Sequence, residues 1–289
     1  MPQPSVPDPR GSSSAQAVVA PNHGAATALP ELPPFSLDLS SDCIARFLVA
    51  RDGVLPSRQP ASGDPVPVAA LSFLRVQPAR CVSVHRLLER DPDRGMFGGV
   101  TYHVDGPLYV GQVIAAQSIV TERQQVPSPR GVLTLTTMET MWSAGESVAV
   151  VERVRMVDLP PDSGPPADGP EDDGTIPAVM RLPGFSRVQV AWMCVECGDL
   201  NPLHLDQDYA RRRGFFDVVV PGPSVVAAVE RDLSTFAGCL LSAVQVRLRA
   251  PVFPGQDLDL CVAEEKGQWR FRLVGEGKVK ADGWATLAT

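Results

Sequence analysis

A proline-, glycine- and acid-rich segment divides the chain of 289 residues into two blocks of comparable size. It reads DLPPDSGPPADGPEDDG over residues 158–174 and has no apolar periodicity, so the sequence predicts a flexible, solvated linker there. The blocks on either side, residues 35–157 and 175–289, are each long enough to hold one hydrophobic core. The chain is therefore predicted to contain two domains.

The two blocks show the same order of predicted elements, a helix-compatible apolar segment followed by β-rich runs. In the first block, DLSSDCIARFLVARDG has a polar start, apolar residues at helical spacing and a closing glycine, which is typical of a capped helix. Runs between residues 100 and 158, and again between residues 241 and 288, alternate in the manner of antiparallel strands. A helix that covers such strands indicates an α+β fold.

Composition and charge exclude several classes of protein. The formal net charge of -7 argues against nucleic-acid binding, and no apolar run is long enough to span a membrane. Residues 1–34 are rich in proline, serine and alanine, and are predicted to be a disordered tail rather than a signal peptide. The six cysteines, without a secretion signal, indicate reduced thiols in the cytoplasm. Cys194 and Cys197 form a C-x-x-C that lacks a second ligand pair, so we interpret them as packing thiols and predict no metal site.

The stretch that carries most chemical information is CVECGDLNPLHLDQDYARRRGFFDVVVPGPSVVAAVERDL, residues 194–233. Pro202 disfavours a helical conformation at Asn201, so the residues from Asp199 to His204 are predicted to form an ordered turn rather than a helical face. Asp199 and His204 can then converge on one point. The next segment is predicted to be a short helix, with Asp206 as its N-cap and Gly214 after its end.

A second feature of this stretch is a Gly-Pro pair before an almost wholly apolar run. Pro223 suits the first position of a helix, which leaves the Gly222 amide at the helix N-terminus, where negative charge is favoured. A carboxylate and an imidazole, with reference pKa values of about 3.9 and about 6.5, can share acid and base roles around one water. With an amide donor for an oxyanion, they suit enolate chemistry beside a thioester carbonyl, and equally simple hydrolysis.

The segment resembles the MaoC-like, (R)-specific enoyl-CoA hydratase family of hotdog-fold proteins. The family signature G-D-x-N-P-[LI]-H-x-D, followed by Y-A and G-F, is matched by Gly198, Asp199, Asn201, Pro202, Leu203, His204, Asp206, Tyr209, Ala210, Gly214 and Phe215. The resemblance implies a cofactor-free hydro-lyase that hydrates trans-2-enoyl thioesters or dehydrates (R)-3-hydroxyacyl thioesters. It implies that Asp199 and His204 are catalytic, that Asn201 holds the loop, and that the Gly222 amide forms the oxyanion hole.

The resemblance covers most of residues 80 to 289 and implies a double hotdog, in which two antiparallel sheets each wrap around a central helix. The first hotdog, residues 35–157, would be non-catalytic, and the second, residues 175–289, would carry the chemistry. The substrate would be an acyl-CoA or acyl-carrier-protein thioester, and the protein a cytoplasmic monomer or homodimer. Arg211, Arg212 and Arg213 could contact coenzyme A phosphates or an acidic carrier protein, or simply form a charged helix end.

Two departures from the family pattern concern the apolar helix. Pro221 precedes Gly222 where the family usually has histidine, and Glu230 stands near the place where several members have serine. The Gly222 amide survives the first change, whereas Glu230, together with Ser224, is a candidate pocket residue that points to a specialised substrate. Two other functions stay open at this point: a hotdog acyl thioesterase and a non-catalytic hotdog subunit.

Overall fold

A computed structural model describes residues 32–75, 94–160, 164–165 and 168–288. The N-terminal half contains β1 (Phe35–Asp38), α1 (Ser41–Asp52), α2 (Ala69–Arg75), β2 (Gly95–Val104), β3 (Val113–Ser128), β4 (Gly131–Ala144) and β5 (Ser147–Asp158). The C-terminal half contains β6 (Ala178–Leu182), α3 (Arg187–Cys197), α4 (Pro202–Leu205), α5 (Gln207–Arg212), α6 (Gly222–Ala237), β7 (Leu241–Leu248), β8 (Leu258–Glu265), β9 (Gln268–Gly275) and β10 (Lys278–Leu287). In these parts of the chain, no helix has the length and apolarity that crossing a membrane requires.

The strands of both halves join in one antiparallel sheet of ten strands, in the order β1-β3-β4-β5-β2-β7-β10-β9-β8-β6. This order reads the same from either edge when each N-terminal strand is exchanged for its C-terminal counterpart, β2 for β7 and β5 for β10. The two halves meet at β2 and β7, which pair from Gly99 opposite Arg247 to His103 opposite Ala243. The α+β arrangement predicted for a double hotdog is confirmed, although the two predicted sheets are continuous with each other.

The helices of each half pack on the inner face of this sheet. The side chain of Ser40 accepts a hydrogen bond from the Cys43 amide at the start of α1, and Gly53 ends the helix with a φ of 71°. The predicted capped helix is thus confirmed, and it buries Phe47 against the core. In the C-terminal half, α6 is the central helix. It is buried from Pro223 to Leu233 on nearly all sides because the sheet and α2 both cover it, which explains its apolar sequence.

The predicted linker differs from expectation in its second part. The Val279 amide donates to the Pro170 carbonyl at 2.9 Å, and the Asp172 amide donates to the Gly277 carbonyl at 2.9 Å. These contacts form because β7 ends opposite Ala281 and leaves the first residues of β10 without a strand partner on that side. Asp172 and Asp173 also pair with Arg272. Residues 168–174 therefore lie along the sheet edge, with most of their side chains exposed.

The predicted N-terminal tail also ends earlier than expected. Leu32 is 5% exposed, and its amide donates to the Ser118 carbonyl of β3 at 2.9 Å. Burial of a leucine side chain contributes about 1.5–3 kcal/mol, enough to hold the chain beside β3 from this residue onward. Residues 1–31 of the predicted tail lie outside the described residues.

Candidate active site

The loop that carries Asp199 begins where α3 ends. Gly198 adopts a φ of 74°, which terminates the helix and directs the chain away from it. Asp199 Oδ1 then accepts a hydrogen bond from the Asn201 amide at 3.2 Å, and Asn201 Oδ1 accepts one from the Leu203 amide at 3.0 Å. Two short-range side-chain contacts therefore fix the loop, and the second of them caps α4.

His204 lies in the single helical turn α4, whereas the sequence predicts a turn without helix. The restriction that a proline imposes falls on the residue before it, Asn201, while Pro202 itself fits the first turn of a helix. The prediction for the following segment is confirmed. Asp206 caps α5 by accepting from two backbone amides, and Gly214 follows the helix with a φ of 83°.

The imidazole of His204 is oriented by a backbone carbonyl. Its Nδ1 lies 2.6 Å from the Val219 carbonyl oxygen, which can only accept, so we assign the proton of the neutral ring to Nδ1. Nε2 then carries the lone pair and faces Asp199 Oδ2 at 3.6 Å. This separation is too long for a direct hydrogen bond, and it suits a water molecule that donates to both groups. The side chains are 11% and 24% exposed, so solvent reaches the pair.

Backbone contacts bring the start of α6 towards α4. The Val219 amide donates to the Leu203 carbonyl at 3.1 Å, and the next amide, of Val220, donates to the Val252 carbonyl at 2.9 Å. Gly222 follows Val219 by three residues and is partly exposed. Within the described ranges the Gly222 amide has no hydrogen-bond acceptor, and it lies at the positive end of the 16-residue helix α6. It can therefore donate to a carbonyl oxygen on which negative charge develops.

The position of Gly222 leaves no room for a side chain. A Cβ atom on this residue would lie 2.7 Å from Phe97 Cδ1 and 2.9 Å from Leu248 Cδ1. Both neighbours belong to the central strands β2 and β7, so they are held in place by the sheet. Glycine at the helix start thus allows close contact between the helix and the junction of the two halves.

We expect Gly222→Ala to destabilise the protein by about 1–3 kcal/mol, because the added methyl group overpacks this contact. Gly106→Ala is the matched control, since a Cβ atom there would meet nothing within 4 Å. Chemical denaturation monitored by circular dichroism measures both free energies of unfolding. Equal stability of the two variants would contradict the crowding at Gly222.

Glu230 lies at a contact between the two halves rather than beside Asp199 and His204. Its carboxylate accepts hydrogen bonds from the amides of Val68 at 2.8 Å and Ala69 at 2.9 Å, at the start of α2. Burial raises the pKa of Glu230, and the two backbone hydrogen bonds oppose this shift. The pocket role suggested for Glu230 is thus replaced by a contact between α6 and the start of α2. Ser224 is fully buried, and its hydroxyl has no hydrogen-bond partner among the residues that the structure describes.

The three arginines and the two cysteines lie on the helices that flank the loop. Arg211 and Arg212 are exposed on α5, and the Arg212 guanidinium lies 5.9 Å from the centre of the Tyr209 ring; Arg213 follows at the end of that helix.

Cys194 and Cys197 are buried on α3, and burial raises the pKa of Cys194. Their packing agrees with the interpretation from sequence.

A separate cavity of about 230 Å³ opens between the end of α1, the start of α3 and the later turns of α6. Arg51, Phe185 and Arg231 line it, and Asp199, His204 and Gly222 do not. The two guanidinium groups in its wall are already paired with Asp52 and Asp232. Geometry and hydrogen bonding therefore place the candidate chemistry at α4 and the start of α6, and not in this cavity.

Two contributors to the site could not be identified from the sequence. Val219 acts through its backbone carbonyl, so the identity of its side chain gives no signal. Phe97 lies in the N-terminal half, more than 100 residues before Gly222 in the chain. The Gly98-Gly99 pair inside a β-rich run could have indicated an irregularity in the strand beside Phe97.

The fold and the site together define a double hotdog protein with a carboxylate–imidazole pair at the start of its C-terminal central helix. Solved structures of this fold are similar over nearly the whole chain. HtdX from Mycobacterium tuberculosis has a TM-score of 0.68 at 18% identity, with 89% of this chain and 100% of that chain covered. A MaoC-like dehydratase from Phytophthora capsici has a TM-score of 0.70 at 16% identity, with 90% and 96% covered.

A thioesterase also shares the fold. An acyl-ACP thioesterase from Bacteroides thetaiotaomicron has a TM-score of 0.53 at 9% identity, with 89% of this chain and 97% of that chain covered. No curated protein sequence matches the chain. Residues 189–285 match the family model of the MaoC like domain. These residues therefore form a MaoC like domain, which confirms the resemblance found in the sequence.

Proposed function

We propose that the protein is a hydro-lyase that adds water to trans-2-enoyl thioesters or removes water from (R)-3-hydroxyacyl thioesters. The observation that carries this proposal is the separation of 3.6 Å between His204 Nε2 and Asp199 Oδ2. His204 also bonds to the Val219 carbonyl, three residues before the Gly222 amide at the N-terminus of α6. The match of residues 189–285 to the MaoC like domain supports dehydratase chemistry in general.

In the hydration direction, a water molecule between the two side chains donates its hydrogen atoms to Asp199 Oδ2 and to His204 Nε2. The water oxygen forms a bond to the β-carbon, and the proton that it loses passes to this pair. Electrons of the double bond move to the thioester carbonyl oxygen, where the Gly222 amide stabilises the enolate. The pair then delivers a proton to the α-carbon, and both side chains return to their starting states. Dehydration follows the same steps in reverse.

The surrounding contacts keep the two groups in their roles. The Val219 carbonyl fixes the Nδ1 proton, so that Nε2 faces the water in its basic form. Asn201 caps α4 and takes no part in proton transfer. Its cap holds His204 at the required distance from Asp199. The reaction moves one water and one proton, so these residues supply all the chemistry that it needs without a cofactor.

The thioester of the substrate is carried by coenzyme A or by an acyl carrier protein. Both carriers present a phosphopantetheine arm with negative charge beyond the thioester. Arg211 and Arg212 are exposed on α5, which directly follows the turn that holds His204. We therefore assign this helix end to contact with the carrier, because guanidinium groups bind phosphate and carboxylate well.

A paired assay tests the reaction type. Purified protein is added to trans-2-enoyl-CoA substrates of different lengths, while enoyl-thioester absorbance and free thiol are followed in parallel. We expect the absorbance to fall with no release of thiol. Thiol release without loss of the double bond would identify a thioesterase instead. Binding of the substrates without any turnover would favour a non-catalytic subunit.

A further inference from the structure

A β-bulge in β2 directs one side chain of the N-terminal half towards the candidate active site. Phe97 pairs with Met156 of β5, while Gly99 pairs with the preceding residue, Arg155, so Gly98 is an extra residue in the strand. Side chains alternate along a strand, and Val100 and Tyr102 are buried on the inner face. In a strand without a bulge Phe97, three residues before Val100, would face outward. The bulge reverses the alternation and places Phe97 on the inner side.

The glycine after the bulge allows the two halves to approach closely at this point. Gly99 has a φ of 145°, and a Cβ atom there would lie 2.3 Å from the Val246 carbonyl oxygen of β7. A residue with a side chain would therefore force β2 away from β7. Gly99 is thus needed to bring Phe97 to its position at the junction of the halves, and Gly98 supplies the extra residue of the bulge.

Phe97 lies directly against the first residue of α6. Its Cδ1 and Cβ atoms lie 2.7 Å and 2.9 Å from the point where a Gly222 Cβ would be, and Leu248 Cδ1 lies 2.9 Å from the same point. Phe97, Gly222 and Leu248 are all partly exposed, so each keeps some surface that a bound molecule can touch. The neighbouring Met96 packs against a small apolar cluster that includes Val219, the residue whose carbonyl orients His204.

From this geometry we infer that Phe97 is a specificity-determining residue, which selects against acyl chains branched at the α-carbon. The inference rests on the proposed function, in which the thioester carbonyl accepts a hydrogen bond from the Gly222 amide. The α-carbon of such a substrate is bonded to that carbonyl carbon and lies beside Phe97 and Leu248. The ring fills the space that a methyl group on the α-carbon would occupy, so straight-chain acyl groups are preferred.

The experiment compares a straight-chain trans-2-enoyl-CoA with its 2-methyl analogue. The ratio of their kcat/KM values is measured for the wild type, Phe97→Ala, Phe97→Leu and Phe35→Ala. Phe35 is the matched control because it is a partly buried phenylalanine of β1 that packs on Trp142, with ring centres 5.3 Å apart. Phe97→Leu retains part of the apolar contact and serves if Phe97→Ala fails to fold.

We expect Phe97→Ala to shift the ratio by about tenfold or more towards the methyl-branched substrate, which is the effect of one methyl group in a fitted pocket. Phe97→Leu should shift it less, and Phe35→Ala not at all. An unchanged ratio in the Phe97 variants would overturn the inference, and so would an equal shift in Phe35→Ala. If the wild type turns over neither substrate, the proposed function fails. The ratio of the Kd values for saturated butanoyl-CoA and 2-methylbutanoyl-CoA is then compared between the wild type and the Phe97 variants. Absence of binding, or a ratio that the Phe97 variants leave unchanged, would reject the inference.

Discussion

Replacement of His204 by asparagine should lower kcat for enoyl-CoA hydration by about 100-fold or more, the usual contribution of a positioned acid–base group. The asparagine amide can still donate to the Val219 carbonyl, as His204 Nδ1 does at 2.6 Å. The variant therefore retains the local fold and loses only the basic atom that faces Asp199. Initial rates with saturating substrate measure this loss, and circular dichroism verifies that the fold is kept.

His103→Asn is the matched control for this variant. His103 lies on β2, opposite Val151 of β5 and Ala243 of β7, with its ring centre 6.2 Å from that of Trp284. Its replacement should leave kcat near the wild-type value. Equal rates for the two histidine variants would contradict a catalytic role for His204.

Asp199→Asn separates the charge of the carboxylate from its structural contact. The amide oxygen of asparagine can accept the hydrogen bond that Asp199 Oδ1 now accepts from the Asn201 amide. The loop is retained, but the group can no longer take a proton from water. We expect a loss in kcat of the same order as for His204→Asn. The double variant should have a kcat no lower than that of the less active single variant, because the two groups act as a unit.

Local structure in this protein could be predicted from sequence where the decisive residues are close together in the chain. The ends of α1 and α5 follow from cap residues within one turn of each helix, namely Ser40, Gly53, Asp206 and Gly214. The strands follow from the alternation of apolar and polar residues. The convergence of Asp199 and His204 could be predicted in the same way, because the loop that joins them is held by contacts between near neighbours. Their catalytic role rests on the family signature and stays a prediction.

Long-range contacts could not be predicted, because they depend on which strands and helices become neighbours. Glu230 accepts a hydrogen bond from the Val68 amide, 162 residues away in the chain, so the residues around Glu230 do not indicate its partner. The same holds for Phe97 beside Gly222, which requires the pairing of β2 with β7. Residues 168–174 have the composition of a solvated linker, yet they pair with β10 because an unpaired strand edge happens to lie beside them.

Glu230→Ala should destabilise the protein by about 2–6 kcal/mol, because each of two buried amides would lose its acceptor at a cost of about 1–3 kcal/mol. Glu230 is only 6% exposed, so water cannot easily replace its carboxylate as the acceptor for the two amides. Val229→Ala, at a fully buried neighbour on the same helix, controls for the loss of volume alone. Chemical denaturation measures the free energy of unfolding of each variant, and a loss no larger for Glu230→Ala than for Val229→Ala would contradict this prediction.

The pH dependence of stability separates the charge of Glu230 from its hydrogen bonds. Burial raises the pKa of Glu230 in the folded protein, so the folded chain holds a proton at pH values where the unfolded chain has lost it. The free energy of unfolding should therefore decrease as pH rises from the ordinary carboxyl pKa through the raised value. Glu230→Gln has the same shape and no proton to lose, so its stability should lack this decrease. The two proteins are compared by denaturation at a series of pH values, and parallel curves would show that the contact between α2 and α6 does not depend on ionisation of Glu230.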